Sequence, residues 1–155
     1  MAITQAMCTS FKQELMLSMH NFHPTGASAA STFKLALYSS GATLNASTTG
    51  FVTAGECRGT NYATAGSALT VVGVTSGSTS GFVDFADLTF LNVTLAADGA
   101  LIYNSTPFTS NNAGTTLTNA AVAVLDFGGS KSASAGDFTI VFPAATSAAA
   151  IIRIA

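Results

Sequence analysis

Two cysteines, two histidines and seven carboxylates are the side chains here that act as nucleophiles, bases or metal ligands. Nucleophilic catalysis requires a base beside a thiol or hydroxyl and a third group that orients the base. The histidines, His20 and His23, lie close together. Cys8 precedes His20 by twelve residues, about 18 Å along a continuous helix, too far for one to activate the other. Cys8 reads as a packed thiol, and His20 as an imidazole favoured at a helix C-terminus, where partial positive charge is stabilised. His20 and His23 with one carboxylate fall short of the three or four ligands that zinc takes. No catalytic residue, metal or cofactor is expected.

Asp84 and Asp87 form a close carboxylate pair. A glycoside hydrolase sets two carboxylates across a cleft lined with aromatic surfaces, and this chain has no Trp and only three Tyr. Calcium bridging near Asp84, Asp87 or Asp98 is open, although the spacing matches no calcium-loop signature. The simpler reading is that these aspartates accept hydrogen bonds from turn amides and keep strand edges soluble. Asn45-Ala-Ser47, Asn92-Val-Thr94 and Asn104-Ser-Thr106 fit the glycosylation tripeptide, as chance allows in a chain this rich in Asn, Ser and Thr. The glycine-rich links precede no Gly-Lys-Ser/Thr and make no phosphate cradle.

The elements that carry these residues are mostly strands. One helix is expected, from about Gln5 to His20, capped by Thr4. Met7, Phe11, Leu15 and Met19 recur every four residues on one side, and Met16 and Leu17 widen that apolar face. His23-Pro24-Thr25-Gly26 and the small residues to Ser31 form a loop. From Thr32 onward strands and turns dominate. Phe33, Leu35 and Leu37 alternate with Lys34, Ala36 and Tyr38, the rhythm of a half-buried strand. Phe51 to Ala65 reads as a long excursion anchored by Phe51 and Tyr62, Leu69 to Val74 as a strand, and Thr75 to Gly81 as an exposed link. Phe82 to Phe90 alternates with a bulge near Ala86-Asp87. Leu91 to Ala96, Ala97-Asp98-Gly99 and Ala100 to Asn104 form the clearest hairpin signal, because Asp-Gly supplies positive φ. Thr106 to Asn119 is a second polar excursion. Ala121 to Phe127 is an apolar, central strand ended by Gly128-Gly129, and Lys131 to Gly136 links it to Asp137 to Phe142, which Pro143 stops. Ala150 to Ile154 closes the series.

Seven or eight strands this close together leave no room for crossover helices, which excludes a parallel α/β fold. The expectation is an all-β, antiparallel β-sandwich, with a jelly roll as one form of it, carrying one N-terminal helix in a single domain over residues 1–155. At this length a sizeable core needs no disulfide or structural metal, so Cys8 and Cys57 read as buried thiols in a reducing compartment. The first residues lack the basic n-region of a secretion signal, and no apolar run is long enough to span a membrane.

Charged residues make up 8% of the chain, with a net charge of -2, against about 25% in an average soluble domain. The surface must then be largely Ser, Thr, Asn, Gly and Ala, solvated but weakly repulsive between copies, which suits a part of an assembly. Lys12, Lys34, Arg58, Lys131 and Arg153 are scattered, whereas nucleic-acid backbones are bound by clustered basic residues. No direct nucleic-acid partner is expected.

The opening MAITQAMCTSFKQEL with HNF, the strand TFKLALYSSGATLNAST, then DFADLTF, GALIYNST, AVAVLDFGG and the close GDFTIVFP with AIIRIA together resemble a family of small virion proteins of tailed bacteriophages. The likeness spans nearly the whole chain and is strongest at both ends. It implies a non-enzymatic structural protein of the capsid decoration, or cement, type. Such a protein bridges major capsid protein subunits on the outer surface of the virion after synthesis in the bacterial cytoplasm. The implied partners are the major capsid protein and further copies of the chain in a homo-oligomer. On this reading Met7, Phe11, Leu15 and Met19 either anchor to a partner or lid their own core. Ile151, Ile152 and Ile154 either complete a local sheet or add to a partner's edge. A phage tail or head-fibre component is the first rival, and a secreted carbohydrate-binding β-sandwich module the second.

Overall fold

Strands account for about half of the described residues. The computed structural model describes residues 2–23, 30–109 and 116–155, which form an antiparallel β-sandwich with one short helix. In chain order the elements are β1 (Ala6–Met7), α1 (Thr9–Met16), β2 (Phe33–Tyr38), β3 (Ser67–Ala68), β4 (Val71–Gly77), β5 (Ser80–Phe85), β6 (Leu88–Asn104), β7 (Phe108–Thr109), β8 (Thr116–Leu117), β9 (Ala120–Ile140) and β10 (Ile152–Ile154). The larger sheet has the order β1-β9-β6-β2-β3, the smaller β10-β5-β4, and β7 pairs with β8. Most of the expected loop from His23 and the centre of the Thr106–Asn119 excursion lie outside the described residues.

The helix is half the length expected. Ala6 and Met7 pair instead with Val124 and Ala123 of β9, and Thr4 donates its N–H to the Leu44 carbonyl rather than capping a helix. Ala120 to Val124 is a buried apolar stretch, and its backbone groups need a partner along the edge away from β6. That requirement outweighs helix propensity in the first residues. Cys8 takes the N-cap position without a side-chain capping bond. At the other end Ser18 turns left-handed, φ 57°, and Met19 N–H bonds the Glu14 carbonyl while Ser18 N–H bonds that of Leu15. This pair of bonds is a Schellman stop, usually built on glycine. The chain therefore reverses before His20, and the continuous-helix distance from Cys8 does not apply.

The expected hairpin at Asp98-Gly99 does not form. β6 runs 17 residues without a turn, and Gly99 is needed for close approach, because a Cβ there would strike the Leu125 carbonyl oxygen and Ile3. The two strands expected around Lys131–Gly136 are likewise one, the 21-residue β9. Its bend comes from a bulge: between the pairs Gly99↔Asp126 and Ala97↔Lys131, β9 advances five residues to the two of β6. Gly128 and Gly129 adopt φ 66° and 124° there. The coiling is tight enough to bring the rings of Phe127 and Phe138 to 6.3 Å, where a straight strand would hold them about 36 Å apart. Thr75 to Gly81, read as a link, is a hairpin closing at Gly77↔Ser80 between β4 and β5. Ala86-Asp87 interrupts the alternation as expected, as a step from the small sheet to the large one.

Phenylalanines join the two sheets. Phe33 of β2 stacks on Phe22 at 4.3 Å, and Phe85 of β5 meets Phe33 at 5.8 Å and Phe142 at 5.7 Å. Each such ring contributes about 1.5–3 kcal/mol through burial. The excursion between Phe51 and Ala65 is fastened by tyrosines. The hydroxyls of Tyr38, Tyr62 and Tyr103 donate to the Val52 carbonyl, Glu56 Oε1 and the Ala65 carbonyl. Tyr62 also accepts the Leu37 N–H, capping the edge of β2 where β3 has ended.

Candidate contact surface

The four-residue stripe faces its own core. Phe11 and Met19 are buried, while Met7 and Leu15 are half-buried against the same cluster. Phe11 and Met19 therefore offer no surface to a partner. At the other end of the chain Ile152 pairs with Val83 and is buried, Ile151 is half-buried, and Ile154 pairs with Gly81 yet stays 59% exposed. The terminal strand completes the small sheet of its own chain.

The fold does bring Leu15, Ile152 and Ile154 together. They line one groove of about 140 Å³ with Phe22, Val74 and Phe82. The small sheet overhangs the end of α1 here. Val74 on its wall is 55% exposed, and Met16 and Leu17, which follow Leu15 in the chain, are 81% and 54% exposed. Val74 carried no signal of this role, since a bulge at Gly73, φ 58°, decides which way it faces.

The groups singled out for chemistry are built into the structure. Burial, then the nearby Glu14 charge, pushes the Cys8 thiol up to about 11. Burial also pushes Cys57 up to about 12, and its thiol donates to the Ala96 carbonyl. Both thiols are free and buried. Asp87, Asp126 and Asp137 accept backbone N–H bonds from Phe142, Gly128 and Asn92; Asp87 thus binds a backbone amide as expected, though one 55 positions away rather than in its own turn. Asp84 is buried and accepts the Phe85 N–H, while its Oδ2 has no hydrogen-bond partner among the described residues; burial raises its pKa, against the nearby Phe85 and Ile151 amides.

His20, Glu14 and Asn104 form a buried cluster that sequence reasoning missed. His20 Nε2 lies 2.8 Å from Glu14 Oε2, and Asn104 Nδ2 lies 3.1 Å from His20 Nδ1. The reversal at Ser18 creates it, and a helix stop without glycine leaves little trace in sequence. Among the described residues, no three His, Cys, Asp or Glu side chains gather as a metal site. No helix among them is long and apolar enough to cross a membrane. Comparison with protein-family models, curated proteins and solved structures finds no match to the chain.

Proposed function

We propose that this chain is a non-enzymatic structural protein of a tailed-bacteriophage virion. It decorates the outside of the capsid and stabilises it by bridging major capsid protein subunits. One observation supports this reading above the others: the apolar groove between α1 and the small sheet, with Val74 and Ile154 standing exposed on its walls. Exposed apolar side chains clustered on a weakly charged surface suit a protein held against neighbours. The sequence resemblance supplies the identity of those neighbours. Modest contacts per copy suffice, because a shell offers many equivalent positions and bridging makes the binding multivalent.

The experiment is addition of purified chain to phage shells that lack it. The wild type should bind saturably and raise the temperature at which the shells open. Val74→Asp and Ile154→Asp, both at exposed positions, should keep the fold and bind about ten- to a hundredfold more weakly, as expected for losing about 1.4–2.8 kcal/mol of contact. Unchanged binding by both variants would overturn the groove as the contact. Localisation of the chain on tails or fibres, glycan binding, or substrate turnover would overturn the decoration role.

A further inference from the structure

We propose that the hydrogen-bonded chain Glu14–His20–Asn104–Thr106, buried as far as Asn104, is an acid-opened latch that ties the end of α1 to the end of β6. The proposal stands apart from the decoration role. Its logic begins at Thr106, whose backbone N–H can only donate and does so to Asn104 Oδ1 at 3.0 Å. The Asn104 amide must then turn its NH₂ toward His20 Nδ1. Nδ1 therefore holds a lone pair, and the ring proton sits on Nε2, donated to the Glu14 carboxylate. Every atom in the series has its one compatible role only while the imidazole is neutral.

A second proton on Nδ1 would face the Asn104 NH₂, donor against donor. Turning the amide over repairs that contact and creates the same conflict at Thr106. One bond is lost either way. His20, Glu14 and Asn104 are all buried, so water cannot substitute at the imidazole without local opening, and turning the amide over instead releases the half-buried Thr106 from the cluster. Apart from Glu14, the surroundings give the imidazolium little help. Phe11 packs 4.9 Å from the ring, with Phe22 and Phe33 at 6.4 and 6.3 Å. From α1 the charged neighbour is Glu14; Cys8, close to Glu14, stays a neutral thiol. β2 contributes Phe33, β6 contributes Asn104 and the segment after α1 contributes Phe22. Burial lowers the His20 pKa, against the opposing bond and charge of Glu14.

The latch joins two pieces of chain. On one side His20 follows directly on the Ser18 turn. On the other, Thr106 belongs to the strap where Thr32 N–H bonds Thr106 Oγ1 and Ser105 N–H bonds the Thr32 carbonyl. A hollow of about 320 Å³ lies between these pieces, lined in part by Met19, Asn21, Thr106 and Phe108. Opening would loosen that hollow and the helix end together.

The test is NMR on the intact protein. Imidazole ¹⁵N spectra at about pH 7 should show His20 neutral with its proton on Nε2. Protection of the Met19 and Thr106 amides, corrected for intrinsic exchange, should fall about tenfold per pH unit across the His20 transition, the slope of one bound proton. In Asn104→Asp a carboxylate can accept from both Thr106 N–H and Nδ1–H, so His20 should hold its proton to higher pH and the acid loss of protection should vanish. A proton on Nδ1, an imidazolium at neutral pH, or an acid loss unchanged in Asn104→Asp would overturn the latch. Should the variant fail to fold, the wild-type tautomer and slope decide alone.

Discussion

Cys8 and Cys57 show how burial redirects a reactive residue type. A thiolate is the reactive form, and in the folded chain both thiols keep their protons until about pH 11 and 12, well above the ordinary 9.0. The sign of the pH dependence follows. The unfolded chain releases these protons near the ordinary value, while the folded chain holds them. The stabilisation is whole below about pH 9 and is lost as pH rises through the folded values. Neither cysteine should react with a thiol-specific disulfide reagent at about pH 8 until the protein is unfolded. Melting temperature should fall between about pH 9 and pH 11 by less in Cys57→Ala than in the wild type. A rapidly labelled thiol in the folded protein would contradict this. Residue types alone marked the cysteines as packed, and they are; the partners of His20 could not be read, because Asn104 lies 84 positions away.

Among elements, those with an unbroken rhythm were legible and those shaped by pairing were not. Phe33–Tyr38 appears as a strand where its alternation places it, but buried on both faces rather than half-buried, with Lys34 alone partly exposed; the terminal isoleucines form a strand. β1 was hidden inside a helical stripe, since its conformation answers the free edge of β9. Asp98-Gly99 carried a turn signal, yet a glycine also serves where backbones approach closely, and only the neighbour Leu125 distinguishes the two uses. The stop of α1 at Ser18 yields a direct prediction. A non-glycine residue in the left-handed region costs about 1–2 kcal/mol, partly offset in glycine by its greater unfolded entropy. Ser18→Gly should therefore raise the melting temperature modestly, by up to about 1 kcal/mol in stability. Ser18→Val, branched at Cβ, should lower it by more. Thermal unfolding of the pair checks this, and an opposite order would mean that Ser18 serves some purpose other than ending the helix.

At the scale of the whole molecule, a nearly uncharged surface would invite strand-to-strand aggregation unless the sheet edges were blocked. They are. β3 has two residues and β10 three, β4 is bulged at Gly73, and the outer edge of β9 is broken by Gly128, Gly129 and Ala135, all at positive φ. Ile152–Ile154 pairs with β5 through one side of its backbone and is an edge on the other, where three residues offer a partner strand few hydrogen bonds. Faces and grooves stay open for contact, the proposed one at Val74 and Ile154 among them. The same architecture settles what the first residues do physically. Removing residues 1–20 would strip the buried side chains of Cys8, Phe11 and Met19, together with β1 from the edge of β9. Three buried side chains at about 1.5–3 kcal/mol each are comparable with the 5–15 kcal/mol net stability of a domain. The truncated chain should lose its dispersed NMR spectrum and cooperative melting. A folded truncation that merely fails to bind shells would show instead that α1 is an anchor and that the core closes without it.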